Sequence, residues 1–443
     1  MSTPTTMEKT TLPKNFHDAV ERWKDTYLSD FDFLIENWDR HFPNEPRLQL
    51  CAYRDKGMCD RIECGDQEGE PKFLRASQLD PERGHQLLGA IRAQASTEFG
   101  SIQQHRLTLA RAQDEQDQMW VLRMMAEELR HGYQMLHLLL DDDWSSLSEL
   151  SSADMVEEIL SMTTGSHVLG AFNIDFDSFV DNVVFCALID RVGKYQLAMQ
   201  KQSAYLPMAE SMPQMLREEA FHLATGVVPM RKWVTQAARG EIYITMSSLQ
   251  KTLNKWLPRG LEMFGDERGG GTNVRLGLKP LTNRVAQQQY YDEVAKVVAD
   301  LNMRYLRARL PHLSLAEAKA ALARVVEGGE VVEGIAPEKL LRMPDLLFFR
   351  RRGEPAFGMV GFGGEEFEDV DAYARHLAEH LPESYLASSD FRSYLDLLGK
   401  VAAGTMTATE ASRQSPSLRR VAGTCPCSKS VRWVVDSPAP AVL

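Results

Sequence analysis

Apolar residues recur with helical spacing in four long stretches of the chain, and these stretches fall into two pairs. The four stretches cover residues 80–112, 114–140, 177–204 and 206–238. Asp80 followed by Pro81 is typical of a helix start, because aspartate caps a helix and proline fits its first turn. The central third has almost no β-branched run bounded by glycine or proline, which disfavours a sheet. The pattern predicts an all-α protein built on a bundle of four helices of about 30 residues each.

The remaining sequence predicts appendages around this bundle. Residues 1–14 are expected to be a flexible leader, and residues 15–310 form the main domain. A glycine-rich loop at Gly269–Gly271 leads into a further helix, and residues 315–403 form a smaller appended region. Residues 404–443 are rich in Ser, Thr, Ala and Pro, so this tail is expected to be partly disordered.

Composition excludes several classes of protein. The net charge of −12 and the pI near 5.5 argue against a nucleic-acid partner. The mean hydropathy is −0.32, and the sequence contains no run of 18 uncharged apolar residues. A membrane-spanning helix is therefore not expected. The N-terminus lacks the apolar core of a secretory signal. Six cysteines are too few for a disulfide scaffold, so a reduced, cytoplasmic setting is expected.

Two segments repeat an unusual mixture of apolar and charged residues. "MMAEELRHGYQML" (124–136) and "MLREEAFHLATG" (215–226) both contain Glu-Glu, two residues, then His. Side chains three apart on a helix lie on one face, about 5–6 Å from each other. Glu128 with His131, and Glu219 with His222, can therefore each contribute a carboxylate and an imidazole to one metal ion.

A two-metal site on four helices also needs one acid from each partner helix. Glu98 lies 30 residues before Glu128, and Asp190 lies 29 residues before Glu219, each isolated in an apolar stretch. The set matches the ferritin-like di-iron arrangement, and oxygen and nitrogen ligands suit iron or manganese. Six ligands for two metals leave positions open for O2 or substrate. Gln94 lies one turn before Glu98 on the same face, so it is a candidate to support a metal ligand or to contact the substrate.

The first glutamate of each doublet needs another explanation, because adjacent residues point about 100° apart on a helix. Glu127 and Glu218 are expected beside the ligands or on the surface, with Arg130 paired to one of them.

At these residues the sequence resembles the oxygenase subunit family of benzoyl-coenzyme A 2,3-epoxidase. The likeness extends through "FLIENWDRHFP", "RIECGDQEGEPKFLRASQLDPERGHQLLGAIRAQASTEFGSIQQHR" and "TNVRLGLKPLTN", over roughly residues 15–310. The resemblance implies a ferritin-like core whose six metal ligands fall on the positions named above. An aspartate at the fourth position is characteristic of that family.

The resemblance also implies an activity and its partners. A reduced di-iron centre would insert one atom of O2 into the ring of an aryl-CoA such as benzoyl-CoA, as in aromatic degradation. Electrons would come from a separate flavin and iron–sulfur reductase that uses NADPH. Arg268, Arg275 and Lys279, which flank the glycine-rich loop, are candidate contacts for the coenzyme A phosphates.

Other functions stay open, because the likeness fades after about residue 315. The substrate could be another aryl-CoA or a group tethered to a carrier protein, and the reaction could be N-oxygenation or desaturation. A ferritin-like iron-binding protein is a non-enzymatic alternative, and a radical role would use Tyr133 or Tyr195. The sequence leaves undecided the resting metal (iron, manganese or mixed), the oligomeric state and the role of Cys425 and Cys427.

Overall fold

A computed structural model of the 443-residue chain describes most of its central part. The described residues are 50, 52–106, 108–109, 112, 114–164, 166–174, 176–265, 271–343, 367, 369–378, 389–407, 410–411 and 414. The predicted leader, Arg268, Cys425 and Cys427 lie outside them, as does most of the predicted tail.

Within the described residues the chain forms α-helices and no β-strand, which confirms the all-α prediction. The helices are α1 (Pro81–Arg106), α2 (Glu115–Leu140), α3 (Ser152–Ser161), α4 (Phe179–Gln200), α5 (Leu206–Arg239), α6 (Met246–Glu262), α7 (Thr272–Arg275), α8 (Asn283–Arg309), α9 (Leu315–Val326), α10 (Val370–Ala378) and α11 (Ser389–Ala402). In this part of the chain, no helix has both the length and the apolar character needed to cross a bilayer.

The helix boundaries follow local capping chemistry. The Asp114 side chain accepts a hydrogen bond from the Asp117 backbone N–H at 2.8 Å, which starts α2. Helix α5 begins at Leu206, with Pro207 in its first turn, where a missing N–H costs little.

Two compact units divide the chain. The first comprises residues 1–173, 193–222 and 267–286, and the second comprises residues 174–192, 223–266 and 287–443. Helices α4 and α5 each contribute one segment to each unit. The domain boundaries inferred from the sequence stay predictions.

Glycines permit close helix contacts in the first unit. A Cβ atom on Gly132 of α2 would lie 2.8 Å from the ring of Phe99 on α1. A Cβ atom on Gly193 of α4 would lie 3.1 Å from a carboxylate oxygen of Glu219 on α5. In each case only a residue without a side chain leaves the neighbour undisturbed.

Hydrogen bonds of side-chain amides also connect these four helices in pairs. Gln134 of α2 donates a hydrogen bond to the Ser211 hydroxyl of α5 at 3.1 Å. Gln200 of α4 donates to Gln94 of α1 at 3.5 Å. Within the first unit, α1, α2, residues 193–200 and residues 206–222 therefore form the predicted four-helix bundle.

The second unit has its own core. Every residue of α4 from 179 to 192 is buried, and a Cβ atom on Gly226 would lie 2.2 Å from the Ala187 backbone nitrogen. The buried Lys255 ammonium lies 2.9 Å from carboxylate oxygens of both Asp177 and Asp181, which neutralise it. Leu306 of α8 shares a hydrophobic cluster with two alanines and Val325 of α9, so residues after 315 contribute to the core of this unit.

Candidate metal centre

The two Glu-Glu-x-x-His copies come together inside the first unit. Glu128 and His131 lie on α2, and Glu219 and His222 lie on α5. Both glutamates are 3% exposed and both histidines are 0% exposed. Four ionisable or metal-binding groups thus occupy a region from which water is excluded.

Each histidine turns its Nδ1 atom toward the same two carboxylates. His131 Nδ1 lies 3.5 Å from Glu128 Oε2 and 3.9 Å from Glu219 Oε1. His222 Nδ1 lies 3.6 Å from Glu128 Oε1 and 3.8 Å from Glu219 Oε2. Each glutamate therefore presents one oxygen to each imidazole, an arrangement that lets a carboxylate bridge two cations.

Glu98 adds a third carboxylate on the side of His131. Its Oε2 atom lies 3.7 Å from His131 Nδ1. The structure places Gln94 one turn earlier, where its amide donates a hydrogen bond to Glu98 Oε1. Gln94 in turn accepts a hydrogen bond from Gln200, which supports the amide that contacts Glu98.

The outer nitrogen of each histidine contacts the other helix of the pair. His131 Nε2 on α2 is 2.8 Å from Glu218 Oε2 on α5. His222 Nε2 on α5 is 3.1 Å from Glu127 Oε2 on α2. The first glutamate of each doublet therefore holds the histidine of the opposite doublet.

Arginines neutralise these two outer carboxylates. Arg130 contacts both oxygens of Glu218 through its Nε atom, at 3.1 and 2.9 Å, as the sequence had led us to expect for one of the pair. Arg123 donates to Glu127 at 2.9 Å, and its guanidinium lies 3.7 Å from the centre of the Phe221 ring.

The two sides of the cluster differ in their electrostatics. Burial alone would raise the pKa of Glu218, but the hydrogen bond and charge of His131 and the nearby Arg130 lower it to about 2. Burial would also lower the pKa of His131, yet the hydrogen bond to Glu218 and the nearby Glu98 carboxylate outweigh it and the pKa is raised. Burial dominates at His222, whose pKa is lowered despite the hydrogen bond to Glu127.

The cluster has a surplus of negative charge. Five glutamates, at positions 98, 127, 128, 218 and 219, face two guanidinium groups, which leaves three negative charges when the imidazoles are neutral. An uncompensated buried charge costs several kcal/mol, so a bound cation would stabilise the site.

The ligand atoms of the cluster suit that cation. Ligand atoms of Glu128, His131 and His222 lie within 4.8 Å of one another, close enough to share a metal ion. Neither histidine Nδ1 atom has a hydrogen-bond partner among the described residues, which leaves both nitrogens available as ligands. Carboxylate and imidazole ligands without a thiolate fit iron or manganese.

The roles of the other predicted site residues stay predictions. Asp190 is buried on α4, in the segment assigned to the second unit, and its role as a ligand stays a prediction. The Arg275 guanidinium is paired with Glu82 and Asp66, and the Lys279 ammonium contacts the Asn283 side chain.

Sequence reasoning missed the crossed pairing and two of the residues that support it. Arg123 lies four residues before Glu127, and Gln214 lies four residues before Glu218, to which it donates a hydrogen bond at 2.6 Å. This i,i+4 spacing was a readable signal for both contacts.

Comparison with known proteins gives a family match and a distant relative. Residues 102–310 match the family described as phenylacetic acid catabolic protein, a stretch a little under half of the chain. The stretch includes both Glu-Glu-x-x-His copies and begins after Glu98. The chain is also 26% identical over 231 residues to benzoyl-CoA oxygenase component B of Aromatoleum evansii. That alignment covers 48% of this chain and 49% of the relative, so the chain spans about half the length of this curated protein.

The resemblance inferred from the sequence is therefore confirmed: over about half its length the chain is related to the phenylacetic acid catabolic proteins and to an oxygenase component that acts on benzoyl-CoA.

Proposed function

We propose that the chain is a di-iron monooxygenase that epoxidises the aromatic ring of an aryl-CoA such as benzoyl-CoA. The observation that carries the proposal is the pair of buried glutamates, each with one oxygen toward each of two histidine Nδ1 atoms. A mononuclear or structural site would not need this duplication. The name of the relative supports the aryl-CoA substrate.

The residues divide between two metal positions. Glu98, Glu128 and His131 would hold one iron, and Glu219 and His222 would hold the other with Asp190. Glu128 and Glu219 would also contact the neighbouring metal through their second oxygens. With Asp190 included, two divalent cations balance the four surplus negative charges of the set. Manganese, or one metal of each kind, meets the same charge and ligand requirements.

When bound and reduced, the di-iron centre supplies the activation of O2, with one atom entering the aromatic ring and the other leaving as water. The two electrons would reach the chain from a separate flavin and iron–sulfur reductase that oxidises NADPH. The chain's own contribution is to hold the ligands and exclude bulk water, since the five glutamate and histidine side chains of the inner cluster are at most 5% exposed.

The proposed coenzyme A contacts flank the glycine-rich loop in the sequence. Arg275 and Lys279 remain candidates for the coenzyme A phosphates, together with Arg268. Arg275 is paired with Glu82 and Asp66, so binding a phosphate there would require Arg275 to leave these carboxylates. Gln94 is proposed to keep Glu98 oriented through the hydrogen bond described above.

A single-turnover experiment tests the proposal. The protein would be loaded with ferrous iron, reduced chemically, mixed with benzoyl-CoA and exposed to 18O2, and the product mass would be measured. One labelled oxygen atom in the product would support both the reaction and the substrate. Two irons that oxidise without a labelled product would keep the site and overturn the substrate, which favours another aryl-CoA or a carrier-tethered group.

A matched pair of variants tests the site itself. Glu128→Ala should lose bound iron, because it removes a carboxylate shared by both metal positions. Glu157→Ala, on the exposed face of α3, should bind iron as the wild type does. Equal iron content in the two variants, or no iron in the wild type, would overturn the metal site.

A further inference from the structure

We infer that Glu127 and Glu218 are positioning residues that orient the metal-binding imidazoles across the bundle, and that they hold the two metal positions unequally. The inference rests on the proposed metal site and concerns residues that bind no metal themselves. Each carboxylate lies on one Glu-Glu-x-x-His helix and contacts the histidine of the other, at 2.8 Å for Glu218 and 3.1 Å for Glu127.

The tautomer of each histidine follows from this contact. A metal-binding nitrogen must be unprotonated, so Nδ1 would face the metal and Nε2 would carry the ring proton. Nε2 then donates to the opposite glutamate, which fixes the rotation of the ring and raises the basicity of Nδ1. The same contact ties α2 to α5 at the level of the metals.

The support behind the two glutamates is unequal. Glu218 accepts hydrogen bonds from Arg130 at both oxygens and from Gln214 at 2.6 Å, in addition to His131. Within the described residues, Glu127 has Arg123 and His222 as its hydrogen-bonding partners. A carboxylate held from three directions has fewer orientations available, so the imidazole of His131 is fixed more firmly than that of His222. The two metal positions should therefore differ in geometry and in affinity.

Isosteric substitutions separate positioning from folding. Glu127→Gln and Glu218→Gln keep the shape of each side chain and remove its charge. Tyr205→Phe is the control, because it removes a hydrogen bond to Asp142, which follows the end of α2 in the same unit. The end of α2 is nine residues, or about 14 Å, beyond His131. Anaerobic titration with 57Fe(II) measures the iron affinity of each variant. Mössbauer spectroscopy reports the environment of each bound iron, and urea unfolding in a chelator measures stability.

The expected result is a loss of about 10- to 100-fold in iron affinity for each glutamine variant. Each should also shift the quadrupole splitting of a different iron: Glu218→Gln the iron at His131, and Glu127→Gln the iron at His222. Gln214→Met should change only the doublet that Glu218→Gln changes. Tyr205→Phe should lower the urea midpoint and leave both doublets as in the wild type.

Three outcomes overturn the inference. Wild-type affinity and spectra in both glutamine variants would show that the glutamates have a structural role only. If Gln214→Met left both doublets unchanged or shifted the other one, the unequal support would be refuted. A wild type that binds no iron would refute the proposed metal site as well, which distinguishes that failure from the first.

Discussion

One methyl group at Gly193 should weaken metal binding without weakening the fold. The Cβ atom of an alanine there would lie 3.1 Å from Glu219 Oε1 and 3.3 Å from its Cδ and Oε2 atoms. These contacts are shorter than nearly all contacts that real Cβ atoms make, so the carboxylate must retreat by a few tenths of an ångström. The backbone of α4 cannot shift to relieve the contact, because residues 179–192 of the same helix are buried on every face.

The magnitude follows from the tolerance of metal–ligand bonds, which is about 0.2 Å. A displacement of this size at a carboxylate facing both proposed metal positions is expected to reduce metal affinity about tenfold, which is about 1.4 kcal/mol. Alanine is about 1 kcal/mol more favourable than glycine inside a helix, which offsets the cost of the contact. The unfolding midpoint measured in a chelator should therefore stay close to that of the wild type.

Gly89→Ala is the matched control for this experiment. Gly89 lies inside α1 with its Cα exposed, and a Cβ atom there would have no heavy atom within 4 Å. This variant should be slightly more stable and should bind iron or manganese like the wild type. Affinity and stability would be measured by metal titration and by thermal unfolding in a chelator. A Gly193→Ala protein with the affinity of Gly89→Ala would refute the position assigned to Glu219.

Three further predictions concern the stability of the first unit. Gly132→Ala should lower the urea midpoint by the equivalent of about 1–3 kcal/mol, because its Cβ would lie 2.8 Å from the rigid Phe99 ring; an unchanged midpoint would argue against that packing. Arg130→Met should cost about 3 kcal/mol in thermal unfolding by leaving the buried Glu218 carboxylate without its cation, and adding Glu218→Gln should recover most of it. Burial lowers the pKa of His167 from 6.5 to about 4, so between these values the unfolded chain binds a proton that the folded chain does not. Stability should therefore fall by about 3 kcal/mol as the pH drops through that window, and His167→Gln should lose this part of the pH dependence of the urea midpoint.

Much of the fold could be predicted because its determinants are local. The spacing of apolar residues located α1, α2, α4 and α5, and their starts follow from single residues such as Asp114. The pairing of Glu128 with His131 and of Glu219 with His222 also follows from helix geometry alone, since residues three apart share a face. These signals required no knowledge of how the helices pack.

Other features depend on tertiary packing and left no local signal. Residues 179–192 are buried on all faces, so periodicity could not indicate which face of α4 contacts which neighbour. Arg275 was a reasonable candidate for a phosphate contact, but its pairing with Asp66 and Glu82 joins segments far apart in the sequence. The crossed contacts of the glutamate doublets likewise depend on the rotation of α2 against α5.

The rotation of α2 against α5 explains why each helix carries two adjacent glutamates. Glu127 and Glu128 are adjacent, so their side chains diverge by about 100° and cannot both face one metal. Glu128 faces the Nδ1 atom of His222, where a metal is proposed, and Glu127 reaches the Nε2 atom of the same ring on α5. Because α5 repeats the pattern with Glu218, each helix supplies one carboxylate to the centre and one to its partner's histidine. A Glu-x-x-His helix with a single glutamate would provide the inner ligand and leave the opposite imidazole without its acceptor. The doublet in both helices is therefore evidence that α2 and α5 act as a reciprocal pair.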